Sequence, residues 1–369
     1  MGLRLNCVRS PSTPATTLSL FPMDTAAFDR ERHVAFLEMM LERLPEDYES
    51  QEINRLTLAY FAISGLAVLD ALDQVNREQL ISWVLSFQEE PGNEADSKNA
   101  EFYGFGGSMS SKLLKNDRKV LYYNCSHLAS TYCALAILKL IGYSLSSINF
   151  EPILTSMRGL QQPDGSFIPI HIGAEADLRF VYCAAAICFM LNNWTGMDKA
   201  RAKEYIMKCQ SYDGGFGLVP GAESHGGATY CAVAALHLMG FLRSDCLYES
   251  SQPCIIDIPL LLHWSLQRQS FNGGFQGRAN KASDTCYAFW VGGVLKIIGG
   301  YQLLNREALR SFLLSCQSKY GGFKKFPENI YPDLYHSLYG FLALSLLEEP
   351  GLKPLLVELG IPVFSEAGI

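Results

Sequence analysis

Two short stretches in the last third of the 369-residue sequence carry residue types that metals select: Asp284 and Cys286 in "NKASDTCYAFW", and His336 in "YPDLYHSLYGF". A carboxylate, a thiolate and an imidazole form a zinc-type ligand set, and three protein ligands leave a fourth position for water or substrate. Asp284 and Cys286 stand i, i+2, a step that a regular helix aligns poorly and a helix start accommodates. The bland alternatives are an N-cap at Asp284, a core thiol at Cys286 and a hydrogen-bonded histidine at His336. A second set is cationic: Arg278 and Lys281 in "GRANKASD", His225 in "ESHGG" and Arg179 in "DLRFVY". Arg forks to two oxygens and Lys acts as a point charge, which suits a diphosphate, whereas any one of them alone reads as solvated surface charge. Gly226 and Gly227 allow the backbone to approach such a ligand closely.

These residues are distant in sequence, so a repeat must bring them together. One series is glycine-rich: "QQPDGSF" at 161, "QSYDGGF" at 210, "QSFNGGF" at 269 and "QSKYGGF" at 317. A second is apolar and rich in small residues, with tyrosines at 60, 132, 182, 230, 287 and 339. The two alternate with a period of about 50 residues, the mark of a two-helix repeat array. Helices apolar nearly all round are buried on every side, which suits a closed ring better than an open solenoid. The predicted fold is all-α, an α/α toroid of six inner and six outer helices around a central cavity. Aligned on the tyrosines, position −3 holds Ala129, Arg179, Gly227, Asp284 and His336, and position −5 holds His127, Asp177, His225, Ala282 and Leu334. Polar groups therefore gather where inner helices start, along one rim of the cavity. Tyr60, Phe61, Tyr182, Tyr230, Tyr287, Phe289, Trp290 and Tyr339 are ordinary core aromatics or, below a cationic rim, the wall of a funnel for a long apolar chain with an anionic head.

Composition narrows the class. Hydrophobic residues make up 49% and charged residues 18%, which implies extensive burial or a large partner interface. A net charge of −7 argues against a nucleic-acid binder. The 11 cysteines form no CxxC pair, and Cys133, Cys183, Cys188 and Cys231 lie in apolar runs, as reduced core thiols of a cytoplasmic protein do. No run of about 18 apolar residues marks a membrane span. Residues 1–25, rich in Ser, Thr and Pro, read as a disordered or processed leader, and 26–369 as a single catalytic toroid. "MGLRLN" lacks the Ser or Thr of a myristoylation signal.

"ESHGGATYC", "GRANKASDTCYAFWVGG", "YPDLYHSLYGFLALSLL", "LRFVYCA" and the "QSxxGGF" repeats resemble a protein prenyltransferase β subunit from about Arg30 to about Glu349. Within that family the sequence is most similar to the type I geranylgeranyltransferase branch, through "FMLNNWTGMD" and "RLTLAYFAISGL". The resemblance implies a toroid held against a helical α subunit in an obligate heterodimer. It also implies one catalytic zinc on Asp284, Cys286 and His336. The expected reaction transfers the C20 group of geranylgeranyl diphosphate to the cysteine of a C-terminal CaaX sequence, as in small GTPases. By the same resemblance His225, Arg278, Lys281 and Tyr287 hold the diphosphate, and Arg179, Tyr182, Cys231 and Trp290 line the isoprenoid channel. His127 and Ala129 match positions near the peptide. Thr57 stands where farnesyltransferases carry a channel-blocking tryptophan, beside an aromatic matched by Phe61, and this favours the longer lipid. Lys325 falls where farnesyltransferases place a magnesium-associated aspartate, so zinc dependence without a magnesium requirement is expected. Tyr335 departs from the leucine expected in the type I branch and bears on selection of the last CaaX residue.

Three other readings compete. Terpene cyclases share the toroid but protonate a neutral polyene, which needs no anion cluster, and their repeats end in Trp rather than Phe. Farnesyltransferase and Rab-type geranylgeranyltransferase β subunits are the nearest relatives within the family. A helical-repeat binding module with incidental rim histidines and cysteines is the non-catalytic alternative.

Overall fold

In a computed structural model the described residues are 27–89, 103–108, 126–171, 174–247 and 254–363; the leader expected at 1–25 lies outside them. Among these residues the chain forms twelve α-helices. The outer set is α1 (Arg30–Glu42), α3 (Arg77–Leu85), α5 (Glu151–Leu160), α7 (Lys199–Lys208), α9 (Ile258–Leu266) and α11 (Arg306–Cys316). Between them run the inner helices α2 (Arg55–Val68), α4 (Leu128–Leu140), α6 (Leu178–Met190), α8 (Gly226–Leu238), α10 (Thr285–Ile298) and α12 (Leu334–Leu346). Each inner helix packs on the next, and α12 returns to pack on α2, so the ring closes as expected of a toroid. Among the described residues strands form two short antiparallel pairs, β1 (Gln88–Glu89) with β2 (Gly104–Phe105) and β3 (Leu355–Leu356) with β4 (Ile361–Pro362).

The two helix sets differ in sequence for a physical reason. In α8 every residue except Gly227 and His237 is buried, and Ala, Gly and Cys at most positions let helices approach on both flanks. By contrast α5 buries Ile153, Leu154, Met157 and Leu160, the one-sided stripe of a helix with solvent behind it. The glycine-rich turns join outer to inner helices. Each closes a bridge from its glutamine to its phenylalanine, Gln161 to Phe167, Gln210 to Phe216, Gln269 to Phe275 and Gln317 to Phe323. Those four phenylalanines are fully buried, each contributing about 1.5–3 kcal/mol of transfer free energy. Within the turn, Gly273 has φ +88° and a Cβ there would stand 2.2 Å from the Ala308 carbonyl oxygen at the start of the next outer helix. Only glycine meets both demands.

The last turn meets the first outer helix in the same way. A Cβ on Gly321 would lie 2.2 Å from the Arg32 carbonyl oxygen of α1. His33 of α1 completes the seam. Its Nδ1 accepts the Gly322 N–H at 2.8 Å, its Nε2 faces Gln317 Oε1 at 3.0 Å, and its ring stacks on Phe323 at 5.0 Å. With Nδ1 accepting, Nε2 carries the proton and the ring is neutral.

Inside the ring an aromatic belt runs through Tyr60, Tyr132, Tyr182, Tyr230, Phe289 and Tyr339 and closes through Phe61, with centroids 5.2 to 6.3 Å apart. Tyr287 is not in it, and Phe289 takes the place that alignment on the tyrosines gave to Tyr287. The C-terminal hairpin docks on this belt. The hydroxyls of Tyr230, Tyr132 and Tyr60 donate to the carbonyls of Val357 (2.7 Å), Leu359 (2.6 Å) and Gly360 (3.3 Å).

Burial, partly offset by the Gln317 hydrogen bond, lowers the His33 pKa from 6.5 to about 4. The neutral form is the one the fold holds, so its contribution is whole above pH 6.5 and is lost as pH falls from 6.5 towards 4. Between pH 7.5 and 5 the loss is about 2 kcal/mol. Urea denaturation at both pH values is expected to show a larger drop in midpoint for the parent protein than for His33→Gln, and equal drops would mean that His33 is not a seam that protonation weakens.

Candidate metal centre and anion site

Every inner helix but α2 begins with a side chain that accepts a hydrogen bond from its own first turn. The caps are His127 (to Ala129 N), Asp177 (to Arg179 N), His225 (to Gly227 N), Asp284 (to Cys286 N) and Asp333 (to His336 N). Buried N-terminal amides need such partners. The caps lie five residues before the tyrosine in α4, α6 and α8, but three before Tyr287 and six before Tyr339. Alignment on the tyrosines put Ala282 and Leu334 at the cap of the last two units. The structure puts Asp284 and Asp333 there, because the register of α10 and α12 against the belt differs.

Asp284, Cys286 and His336 come together. One ligand atom from each lies within 4.8 Å of the other two, and the three are buried or nearly so. Asp284 Oδ1 takes the Cys286 amide at 3.0 Å and faces His336 Nε2 at 3.3 Å. His336 Nε2 thus faces a buried carboxylate with the Cys286 sulfur within 4.8 Å of both. A cation placed there would meet all three groups, and the donor set fits a zinc-like ion. His336 Nδ1 is 2.6 Å from Asp333 Oδ2, which holds the proton on Nδ1 and turns Nε2 inward. Asp333 is a candidate site residue that the sequence reading missed; the signal was an Asp three residues before a histidine at the start of an apolar run.

The electrostatics follow the geometry. Burial pushes the Cys286 thiol well above its ordinary value, and the Asp284 carboxylate adds to the rise. Burial would lower His336, but its hydrogen bonds to Asp284 and Asp333 outweigh it and raise the imidazole to about 9. Burial would raise Asp284, and its bonds to His336 and Cys286 hold it below its ordinary value. Lys325 Nζ lies 3.8 Å from Asp284 Oδ2 and is half exposed, open to a ligand on its far side. The loop that carries it is anchored by Thr285, whose N–H donates to the Lys325 carbonyl (3.1 Å) and whose hydroxyl donates to that of Lys324 (2.6 Å).

The predicted cationic cluster is assembled differently from a set of four positive charges. His225 is neutral. Burial, then Arg278, lowers its pKa, and its Nδ1 accepts the Gly227 N–H at 3.1 Å. Nε2–H therefore donates to the Tyr287 hydroxyl at 3.0 Å, leaving the tyrosine O–H to donate outward. Arg179 is held by the buried Asp177 at 2.6 Å, and Arg278 by Glu223 at 3.2 Å. An incoming anion competes with Glu223 for Arg278. Lys281 is exposed on the loop that Gln276 and Ser283 pin by a bridge. His127 is likewise kept neutral by burial, with a pKa of about 4, and half-buried Ala129 donates its N–H to it at 3.1 Å.

The apolar candidates divide by depth. Tyr182 is buried in the belt, and the Cys231 thiol, pushed up to about 12 by burial, is inert. Half-buried Trp290 lies 4.2 Å from Tyr339, ring to ring, and donates its N–H to Tyr335 Oη at 3.2 Å. Phe61 meets Tyr335 and Tyr339 at 5.7 and 6.3 Å. Thr57, one turn before Phe61 on α2, has its hydroxyl 3.8 Å from Cys133 Sγ.

Comparison with known proteins agrees with this geometry. A family model, the prenyltransferase alpha-alpha toroid domain, matches residues 28–361. The chain is 62% identical to the geranylgeranyl transferase type-1 subunit beta of Arabidopsis thaliana, over 94% of this chain and 92% of that one. It is 34% identical to the Dictyostelium discoideum protein of the same name, over 89% and 93%. Among solved structures, a Candida albicans protein geranylgeranyltransferase-I complexed with GGPP superimposes with a TM-score of 0.77 at 25% identity, over 90% of this chain and 95% of that one. The chain belongs to the protein prenyltransferase β-subunit family with the α/α toroid fold, on its type I geranylgeranyl transferase branch.

Proposed function

We propose that the chain is the catalytic β subunit of a zinc-dependent type I protein geranylgeranyltransferase, a cytoplasmic enzyme active as a heterodimer with a helical α subunit. Residues 26–369 form the catalytic domain, and 1–25 are a leader outside it. Convergence of the Asp284, Cys286 and His336 ligand atoms within 4.8 Å, beside Lys325, is the observation that carries this reading. The donor is geranylgeranyl diphosphate and the acceptor the cysteine of a C-terminal CaaX sequence, as carried by small GTPases.

When bound, zinc would supply charge that keeps the acceptor sulfur in its thiolate form at neutral pH. The protein's own residues position and neutralise the donor. Arg278 and Lys281 take the diphosphate, Arg278 exchanging Glu223 for it, and Tyr287 donates its O–H in the orientation His225 imposes. Lys325, with Nζ 3.8 Å from Asp284 Oδ2, would meet the charge that grows on the departing oxygen. The sulfur–C1 bond forms as the C1–oxygen bond breaks, and diphosphate leaves with the electron pair. His127 and Ala129 at the rim of α4 face the peptide, while Arg179, Tyr182, Cys231 and Trp290 border the lipid. Thr57 leaves space at the channel floor beside Phe61 that a tryptophan would fill.

Two measurements test this. At pH 7.5 the Cys286 thiol and His336, raised to about 9, are both protonated before metal arrives. Zinc binding is therefore expected to release about two protons, read by calorimetry in buffers of different ionisation heat, and about one in Cys286→Ala. Release of none would contradict this ligand set. Second, the zinc-loaded heterodimer is offered labelled C15 and C20 diphosphates with CaaX peptides. Transfer of C20 is expected, unaffected by selective removal of magnesium. A Thr57→Trp change is expected to shift preference toward C15 by about tenfold or more. Transfer of C15 alone, or loss of most activity without magnesium, would overturn the Thr57 or the Lys325 assignment respectively.

A further inference from the structure

We infer that Glu223 is a movable counter-ion, holding Arg278 while the anion site is empty and passing to Arg268 when a diphosphate takes Arg278. This rests on the diphosphate reading above and goes beyond it in giving Glu223 a destination and Arg268 a role. Arg268 follows α9 and is the one lysine or arginine among the described residues that is buried, at 7% exposure. Its Nε is sealed from solvent without a hydrogen-bond partner, and no carboxylate among the described residues stands at ion-pairing distance from it. A buried charge in that condition is costly. More exposed arginines are paired: Arg278 with Glu223, Arg306 with Glu348 and Arg310 with Glu349. The Trp264 ring, 5.2 Å from the Arg268 guanidinium, faces the charge but is a weak substitute for a carboxylate.

The surrounding loops bring Glu223 to this arginine. A Cβ on Gly215 would stand 2.7 Å from both Trp264 and Ser224, so the ring that Arg268 covers packs beside the residue next to Glu223. The Arg268 carbonyl accepts the N–H of Gln276, two residues before Arg278, at 2.9 Å. The Gly277 carbonyl accepts the Gly226 N–H at 2.8 Å, which stitches the Arg278 loop to the Glu223 loop. Asp213 and Glu223 are accordingly the carboxylates whose charge opposes the effect of burial on Arg268. Asp213 is fixed, its Oδ1 accepting the Ser224 hydroxyl at 2.5 Å and the Gly215 N–H at 3.2 Å. Glu223 is 61% exposed and holds Arg278 through one oxygen at 3.2 Å, so it is the carboxylate free to move. A diphosphate on Arg278 would repel a carboxylate left beside it, and Arg268 offers that carboxylate a cation without a partner. Once the lipid has been transferred, return of Glu223 to Arg278 competes with the product diphosphate and favours its release.

Inorganic diphosphate is the probe, soaked into crystals of the heterodimer and titrated by calorimetry. The crystals are expected to show diphosphate on Arg278 and Lys281 with the Glu223 carboxylate turned onto Arg268. Diphosphate bound there with Glu223 still on Arg278, or with Arg268 still unpaired, overturns the inference and leaves the diphosphate reading standing. No diphosphate at Arg278 overturns both. In solution Glu223→Gln is expected to tighten diphosphate binding about threefold, the scale of an exposed ion pair, and Arg268→Met to weaken it about threefold. Because Arg268 acts through Glu223, Arg268→Met is expected to change little when made in the Glu223→Gln background. An equal loss in both backgrounds would make Arg268 a fixed charge or a packing element and overturn the inference. Arg268→Lys keeps the charge and is expected to bind diphosphate as the unaltered heterodimer does; a loss equal to that of Arg268→Met would trace the effect to packing and overturn it as well.

Discussion

The start of an inner helix is the point on which the rest of this molecule depends. Four backbone amides there have no partner within the helix, and the ring buries them where water cannot serve. Among the described residues the chain answers with a side-chain cap on five of six inner helices, so those caps share one end of the ring. Asp284 caps α10 with Oδ1, and the same oxygen faces the His336 Nε2 that a cation would take over. Asp333 caps α12 with one oxygen and fixes the His336 tautomer with the other. His225, capping through Nδ1, is left with Nε2–H to orient Tyr287. A structural requirement repeated around the ring thus supplies oriented groups for chemistry.

Closure of the ring supplies the rest. Asp284 belongs to the fifth inner helix, His336 to the sixth, and Phe61 to the first. Only because α12 packs back on α2 does Phe61 meet Tyr335 and Tyr339 beside His336. The seam at His33 and Gly322, between the first outer helix and the last turn, is therefore part of what holds the site together. Three tyrosine hydroxyls of the belt serve a similar end, binding the carbonyls of the C-terminal hairpin that would otherwise be buried without partners.

The alternation of glycine turns and apolar runs made the toroid legible in the sequence, since period and burial pattern are properties of the chain itself. Asp284, Cys286 and His336 were legible as a donor set by residue type. What alignment on the tyrosines could not show was register. The cap sits five residues before Tyr230 but three before Tyr287, so Tyr287 rises to the rim and Phe289 takes the belt position. That slip also hid Asp333. Charge state was hidden as well. His225 counts as a possible cation in sequence, and its neutrality comes from burial and from the Gly227 amide. The Glu223–Arg278 pair joins residues 55 apart, through loops whose approach no local pattern encodes.

On the proposed function, Asp284, Cys286 and His336 hold one zinc with a position left for the acceptor sulfur. Zinc-edge X-ray absorption on the purified heterodimer tests it directly. One sulfur is expected at about 2.3 Å with nitrogen and oxygen at about 2.0–2.2 Å, and a second sulfur at about 2.3 Å once a CaaX peptide is added. A first shell without sulfur, or a sulfur count unchanged by the peptide, would contradict it.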